Sequence, residues 1–429
     1  MTLASLAAAK PASAREDGAI AAEPTIPAQL SLDDALRIFR TSGLDLLIAE
    51  ANVRGAEGDA RAARAINNPD LSLGVGRALT NCDGCSAPAV SATLSDQGAI
   101  SQALTGKHGL RVDVADAALQ AARLNRKDAS RVLEAGLKQQ FLAVVIAEAE
   151  FELARETQKS AEKTLEVVKR RVNAGAAADT DLLKAQTDSL ALEDQVDASE
   201  LAVRKAKLDL AFLLGVRSQV PDFKVDDSLV KHARDARPDV GDEPRLLQEA
   251  IKHRSDLLSA EYSEKRAKAA ADLARRTRWP DISLWASYAM QGSGPNAPTP
   301  PTLTIGIESL LPIFYQNQGE IQRADADLFT QRLQREKVKA QVVNDVESAL
   351  HALQIAQRRV QRMGGTLIET ADRSRGLTTM QYERGAASLL ELLDAQRTFL
   401  TINSSYLQSI ADYWNAVFTV EQATGRTLH

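Results

Sequence analysis

The chain has no run of apolar residues approaching the 18 or so that a membrane-crossing helix needs, so no transmembrane helix is available. A membrane β-barrel is untouched by that absence, because its strands are short and alternating. Aromatic residues make up only 4% of the chain, low for a large globular core. The two cysteines, Cys82 and Cys85, lack the second pair that a structural zinc site needs, and the five histidines are scattered without ligand spacing. A net charge of -5 shows neither the basic footprint of a nucleic-acid binder nor an acidic disordered tail. No phosphate loop, catalytic triad or metal motif is found, so neither an enzyme nor a cofactor is expected. Alanine, leucine, glutamine and charged residues dominate, the composition of long helices and coiled coils.

What is present occurs twice. Tyr382-Glu383-Arg384-Gly385-Ala386-Ala387-Ser388 and the run on to Gln396 answer the stretch from Val172 to Gln186. A shift of 210 lays Gly175 on Gly385, Asp181 on Glu391 and Gln186 on Gln396. Each stretch opens with a glycine after a basic turn and lies between two long helical patterns. That is how one helix stops and an antiparallel one begins. Asp45 and Glu50 are answered by Asp256 and Glu261, and Asn68-Pro69-Asp70-Leu71 by Trp279-Pro280-Asp281-Ile282, at a shift of 211. A shift constant to one residue over this length marks a duplication.

Within the first copy, Ser31 caps a helix that Gly43 interrupts, and a second helix runs from about Leu44 to Ile66. The period then changes to two. Leu71, Leu73, Val75 and Leu79 alternate with Ser72, Gly74, Gly76 and Ala78, and a weaker strand follows within Val90–Leu104. From about Gly109 to Arg171 the helical pattern barely stops, with apolar residues from Leu133 to Val172 spaced by threes and fours; one helix of about 60 residues would be roughly 90 Å long. Its partner runs from about Thr180 to Leu214. The expected divisions are an export or extended segment at 1–30, a first repeat at 31–216, a linker at 217–244 and a second repeat at 245–429. Strands are expected at about 70–80, 90–104, 281–290 and 302–311, and helix tips at about 173–181 and 383–391. Leu3–Ala9 with Ala12-Ser13-Ala14 reads as part of an export signal without its positive segment, or as a plain tail.

Two strand pairs give four strands with open edges, which are a liability unless closed. One strand face is apolar and the other is Ser, Thr and Gly, which fits lipid outside and water inside. Four strands are too few for a barrel with a lumen, so several chains must contribute; three would supply twelve. The fold class expected is mainly α with a β-barrel part, as two tandem repeats of strand pair plus long helical hairpin.

The element order, the duplication, and the phrases Asn67-Asn68-Pro69-Asp70-Leu71-Ser72-Leu73, Gly106-Lys107-His108-Gly109-Leu110-Arg111 and Leu311-Pro312-Ile313-Phe314-Tyr315-Gln316-Asn317-Gln318-Gly319-Glu320-Ile321 resemble the TolC-like outer-membrane efflux proteins over about residues 31–426. The last phrase, with the absence of an anchor cysteine, is most similar to the cobalt–zinc–cadmium (CzcC-type) branch. The resemblance implies a homotrimer in the outer membrane of a Gram-negative bacterium. A twelve-stranded barrel in outer-membrane lipid would stand on a long periplasmic α-helical barrel. It also implies two partners, a periplasmic adaptor and an inner-membrane pump of the resistance-nodulation-division type, and no nucleic acid. The chain would be a passive exit duct for heavy-metal cations, or for drugs or secreted polypeptides. A soluble coiled-coil scaffold is the rival outside this class.

The resemblance also assigns residues. Glu391 and Asp394, three apart on one helix face, would form acidic rings at the periplasmic constriction; a solvated pair is the alternative. Tyr382 and Asp181 match a closing latch whose arginine is replaced here by Ala387. Ala174, Gly175, Ala176, Arg384, Gly385 and Ala386 are where an adaptor would meet the tips. Cys82 and Cys85 lie in the turn between two strands that the topology places outside the cell. They read as a loop disulfide, with weak metal capture or free thiols as alternatives.

Overall fold

Ser31 begins the first helix as its sequence predicts. Its hydroxyl accepts the backbone N–H of Asp34 and frees that donor from solvent. In the computed structural model, residues 22–77, 87–233, 242–292, 297 and 299–426 are described. Cys82 and Cys85, and Leu79 of the first strand pattern, lie outside them. The chain divides into two compact units, one drawn from Met1–Leu47, Leu133–Pro238 and His351–Thr419, the other from Ile48–Val132, Asp239–Leu350 and Val420–His429.

The first copy runs β1 (Gln29–Leu30), α1 (Leu32–Ser42), α2 (Leu44–Arg64), β2 (Asp70–Gly76), β3 (Ala89–Ser95), α3 (Ala99–Leu104), α4 (Lys107–Asn173) and α5 (Asp179–Leu213). A connection with β4 (Lys224–Val225) and α6 (Ser228–Lys231) follows. The second copy runs α7 (Glu243–His253), α8 (Ser255–Arg276), β5 (Ile282–Gln291), β6 (Thr299–Ser309), α9 (Gln318–Arg362), a π turn (Met363–Leu367), α10 (Ile368–Glu383) and α11 (Leu389–Thr424). Moving α1 by 211 positions lays it residue for residue on α7.

Three details differ from the sequence reading. The strand expected over 90–104 ends at Ser95, because Asp96 accepts the backbone N–H of Gly98 and Ile100 and turns the chain into α3. Gly98, at φ 75, takes the left-handed conformation that the turn requires. The long helix of the second copy, expected to be continuous, is kinked within Met363–Leu367, where Gly365 leaves helical geometry at φ -91, ψ -109. The stretch read as a linker carries structure of its own: β4 pairs in parallel with β1, and Phe223 and Val225 enter a core with Phe39, Phe141 and Leu210.

The first unit is helical around that core and around Tyr413, Trp414 and Phe418 of α11. The Trp414 indole N–H donates to the Leu229 carbonyl at 2.7 Å, so α6 is pinned to α11. The second unit holds the four-stranded sheet in the order β2-β3-β5-β6, antiparallel throughout. Pro300 and Pro301 lie in β6, an edge strand, where a missing N–H costs no interior bond. Lys107, almost fully buried, ties the start of α4 to the foot of β5 through Asp281 at 2.8 Å and the Trp279 carbonyl.

Candidate functional site: the sheet faces and the helix tips

Register decides what the sheet presents. Leu71 faces Leu94, Leu94 faces Ala286 and Ala286 faces Ile305; Leu73, Ala92, Tyr288 and Leu303 form the next row. One whole face is therefore apolar, and it is exposed: Leu73 is 74% accessible, Val75 79% and Ile305 76%. The opposite face carries the row Ser72, Thr93, Ser287 and Thr304, with Gly74, Ser91, Ala289 and Thr302 beside it. The Thr93 hydroxyl donates to Ser287 across the strands at 3.1 Å. The outer edges of β2 and β6 pair with no other strand of the described residues. A sheet with a bare apolar face, a small polar face and two free edges is unfinished in water; closed into a ring in lipid it satisfies every element of that description.

The tips belong to the first unit. Gly175 (φ 72) and Gly385 (φ 78) each close a helix in the same way. Ala176 donates to the Arg171 carbonyl and Gly175 to Val172; Ala386 donates to Gln381 and Gly385 to Tyr382. These paired bonds satisfy carbonyls left over at a helix end and need a left-handed residue, hence glycine. The six tip residues Ala174, Gly175, Ala176, Arg384, Gly385 and Ala386 are all exposed.

The new helix after the second tip starts with a reciprocal cap that the sequence reading overlooked, although Ser388-x-x-Glu391 signals it. Ser388 Oγ accepts the N–H of Glu391, and the Glu391 carboxylate accepts the N–H and the hydroxyl of Ser388 at 2.7 and 3.0 Å. The Ser388 backbone N–H, then its hydroxyl, hold the Glu391 carboxyl below the usual glutamate range. Asp394 is exposed on the same helix, and its carboxylate has no hydrogen bond or ion pair with any described residue.

Tyr382 and Asp181 are not hydrogen-bonded to each other in the described residues. Tyr382 is 4% exposed, packed with Val168, Ala185, Leu389, Leu392 and Leu393. Its closest polar company is Arg171, which was not singled out in the sequence. The Arg171 guanidinium stacks over the ring at 4.8 Å and donates to the Tyr382 carbonyl at 2.9 Å. Burial pushes the Tyr382 phenol up, against the pull of Arg171. Asp181 lies 4.0 Å from Lys184 on its own helix. Further up the same hairpins, Arg397 donates to Asp188 at 2.8 Å and Gln396 to the Thr164 hydroxyl at 3.1 Å, so the two copies are stitched side by side.

An antiparallel sheet built for lipid, joined to pairs of long helices, defines an outer-membrane channel with a large periplasmic helical part. The family profile described as outer membrane efflux protein matches residues 39–216 and 246–426, so the chain belongs to that family. It is 25% identical over 422 residues to the cobalt-zinc-cadmium resistance protein CzcC of Cupriavidus metallidurans, covering 96% of this chain and 95% of that one. It is 27% identical over 395 residues to the pyoverdine export outer membrane protein OpmQ of Pseudomonas aeruginosa, covering 88% and 81%. Among solved structures, CusC aligns with a TM-score of 0.76 at 18% identity over 92% of each chain. The Campylobacter jejuni CmeC outer membrane channel aligns with 0.76 at 17% identity, over 92% of this chain and 85% of that one. The chain is thus an outer-membrane efflux channel protein of the TolC-like family, whose members are channels and not enzymes.

Proposed function

We propose that three copies of this chain close their sheets into a twelve-stranded barrel and their hairpins into a helical barrel. The trimer then acts as the passive exit duct of a tripartite efflux system. The observation that carries this reading is the sheet, with its apolar face largely exposed and both edges unpaired among the described residues. A second surface supports it: Leu183, Leu190, Leu201 and Phe212 form an exposed apolar series on α5, suited to the helix of a neighbouring copy. Energy would come from an inner-membrane pump, of the resistance-nodulation-division type, through a periplasmic adaptor. The adaptor would meet the exposed small residues Ala174, Gly175, Ala176, Gly385 and Ala386 with Arg384, where little side chain stands in the way of close approach.

Threefold symmetry would turn Glu391 and Asp394 into two acidic rings at the constriction, favouring cations. Tyr382 and Asp181 would lie beside that gate. With Ala387 in place of an arginine and Tyr382 engaged by Arg171, closure would rest on packing of the tip core more than on a tyrosine–aspartate bond. The likeness to CzcC favours heavy-metal cations as cargo. The likeness to OpmQ favours a second reading, export of an organic compound.

The test is the double substitution Glu391→Ala with Asp394→Ala in purified protein inserted in planar bilayers. The expected outcome is a severalfold fall in cation-over-anion permeability and loss of block by polyvalent cations. Unchanged selectivity and block would remove these residues from the constriction.

A further inference from the structure

We propose that the polar face at the foot of the sheet is a recognition site for organic ammonium cations, a class of cargo beyond metal ions. It rests on the barrel reading above, in which this face lines the lumen. Among the described strand residues of that face, nearly all are Ser, Thr, Gly or Ala; Trp285 is the aromatic exception. Its place is built. Trp285 pairs across the strands with Gly306, and a Cβ on Gly306 would stand 2.5 Å from Cζ2 and 2.6 Å from Cε2 of the indole. The ring therefore lies directly against the backbone of β6, in a position that any larger residue at 306 would deny it.

Beside the ring is a recess of about 440 Å³, lined among others by Asp70, Thr93, Ser95, Ser287 and Glu308. Asp70 comes from one edge strand and Glu308 from the other, and neither carboxylate has a hydrogen bond or ion pair with a described residue. Among the described residues no lysine or arginine lines the recess. The Thr93 and Ser287 hydroxyls are bonded to each other, and Ser95 accepts the N–H of Gln97, so the hydroxyl wall is largely self-satisfied.

Two uncompensated carboxylates and the face of an indole attract positive charge, and tryptophan is the best of the rings for a cation that brings alkyl groups with it. A bare divalent ion asks instead for a close cage of about six or more oxygens and has no use for a ring. The chemistry thus points to a protonated or quaternary amine, held weakly enough to pass on.

The experiment uses the full chain in planar bilayers in potassium chloride, with tetraethylammonium or magnesium added to either side. Tetraethylammonium is expected to block the wild type, and Trp285→Ala to raise its half-blocking concentration about tenfold while leaving magnesium block unchanged. Trp285→Phe should keep most of the block, and Asp70→Asn with Glu308→Gln should lose it. Gly306→Ala, which displaces the ring without removing it, should weaken block severalfold and keeps the test open if Trp285→Ala fails to assemble. Block by tetraethylammonium that Trp285→Ala and Gly306→Ala leave unaltered would overturn the proposal, even where the carboxylate variant abolishes it, since charge alone would then suffice. A wild type that forms no channels at all would instead overturn the duct reading, and this site with it.

Discussion

The two copies of the repeat carry the same elements, yet they solve the same corner with opposite residues. Between α1 and α2 stands Gly43, at φ -61 and ψ 117; between α7 and α8 stands Arg254, at φ -63 and ψ 126. Each donates its N–H to the carbonyl four residues earlier, Phe39 in one copy and Ala250 in the other. In the first copy a Cβ at position 43 would meet the Phe39 ring at 2.6 Å, so only glycine fits. In the second copy the matching residue is Ala250, which has no ring to meet a side chain at 254. One copy fills the corner with a buried aromatic in an apolar core. The other fills it with a charge, satisfied by Asp256 at 2.6 Å, Asp345 at 2.8 Å and the Ala423 carbonyl at the end of α11. Arg131 reaches Asp256 and the neighbouring Gln422 carbonyl in the same network. The backbone of a duplicated fold is thus kept while its chemistry diverges, provided both residues of a touching pair change together.

The largest effect expected from breaking this contrast is at Arg254. Arg254→Ala removes the ion pair of Asp345 and the nearer of the two basic partners of Asp256, which keeps Arg131 at 3.9 Å. Breaking a fully buried pair costs about 3–5 kcal/mol. These carboxylates are 24% and 34% exposed, so about 2–3 kcal/mol is expected after that discount. Denaturation of the detergent-extracted protein measures it, and an unchanged midpoint would contradict the network. The pH dependence has a definite sign. Burial pushes the Asp256 carboxyl up, but the Arg254 hydrogen bonds and charge outweigh it and the group sits below the ordinary aspartate value. Its contribution to stability is present above that ordinary value and is lost as pH falls through the lowered one. Arg254→Ala should therefore flatten the acid side of the stability profile.

Next in size is the opposite corner. Gly43→Ala drives a methyl into the Phe39 ring and should cost about 1–3 kcal/mol. In a Phe39→Ala background, which imitates Ala250, the same substitution should cost clearly less, leaving the 2.7 Å approach to the backbone carbonyl at position 39. Additive costs in the double variant would show that the two residues do not act as a pair. A similar pairing holds at the π turn, which the first copy lacks. A Cβ on Gly364 would meet the Tyr406 hydroxyl at 2.8 Å and its ring at 2.9 Å. The matching residues of the first copy are Ala154 and Val196. Gly364→Ala should destabilise by about 1 kcal/mol, and Tyr406→Val should remove most of that penalty.

Most of this architecture is legible in the sequence, because periods of two and of three-to-four residues report burial directly and because the duplication lets each copy check the other. Gly215 ends α5 as read, at φ 90, and α2 begins at Leu44 as read. What was illegible depended on which atoms meet across the fold. The break in the second long helix lies where Gly364 packs on Tyr406, some forty positions away, and periodicity says nothing of that contact. The β3–α3 turn depends on one carboxylate, Asp96, serving backbone donors both nearby and on β5. Arg171 is one of several basic residues before the first tip, and only the structure distinguishes the one that stacks on Tyr382. The Ser388–Glu391 cap is legible in the spacing Ser-x-x-Glu, which the gate role expected of the same glutamate does not require.

The smallest effect separates the two tips. The first helix past a tip begins at Ala178 with no side-chain cap, the second at Ser388 with a reciprocal one. Ser388→Ala removes the hydroxyl and keeps the backbone N–H, so the Glu391 carboxyl should rise only part of the way toward its usual range, and a charge now kept into more acid solution is lost somewhat earlier. The pH at which cation selectivity collapses should move upward in bilayer recordings. A collapse at the wild-type pH would show that Glu391 does not set it.

The most direct measurement is a single preparation of the detergent-extracted protein, weighed intact by native mass spectrometry and then recorded in a planar bilayer. A mass of three chains with discrete, cation-selective conductance is the predicted result. A water-soluble monomer or dimer that carries no current would contradict the closed sheet and leave the repeats as parts of a coiled-coil scaffold.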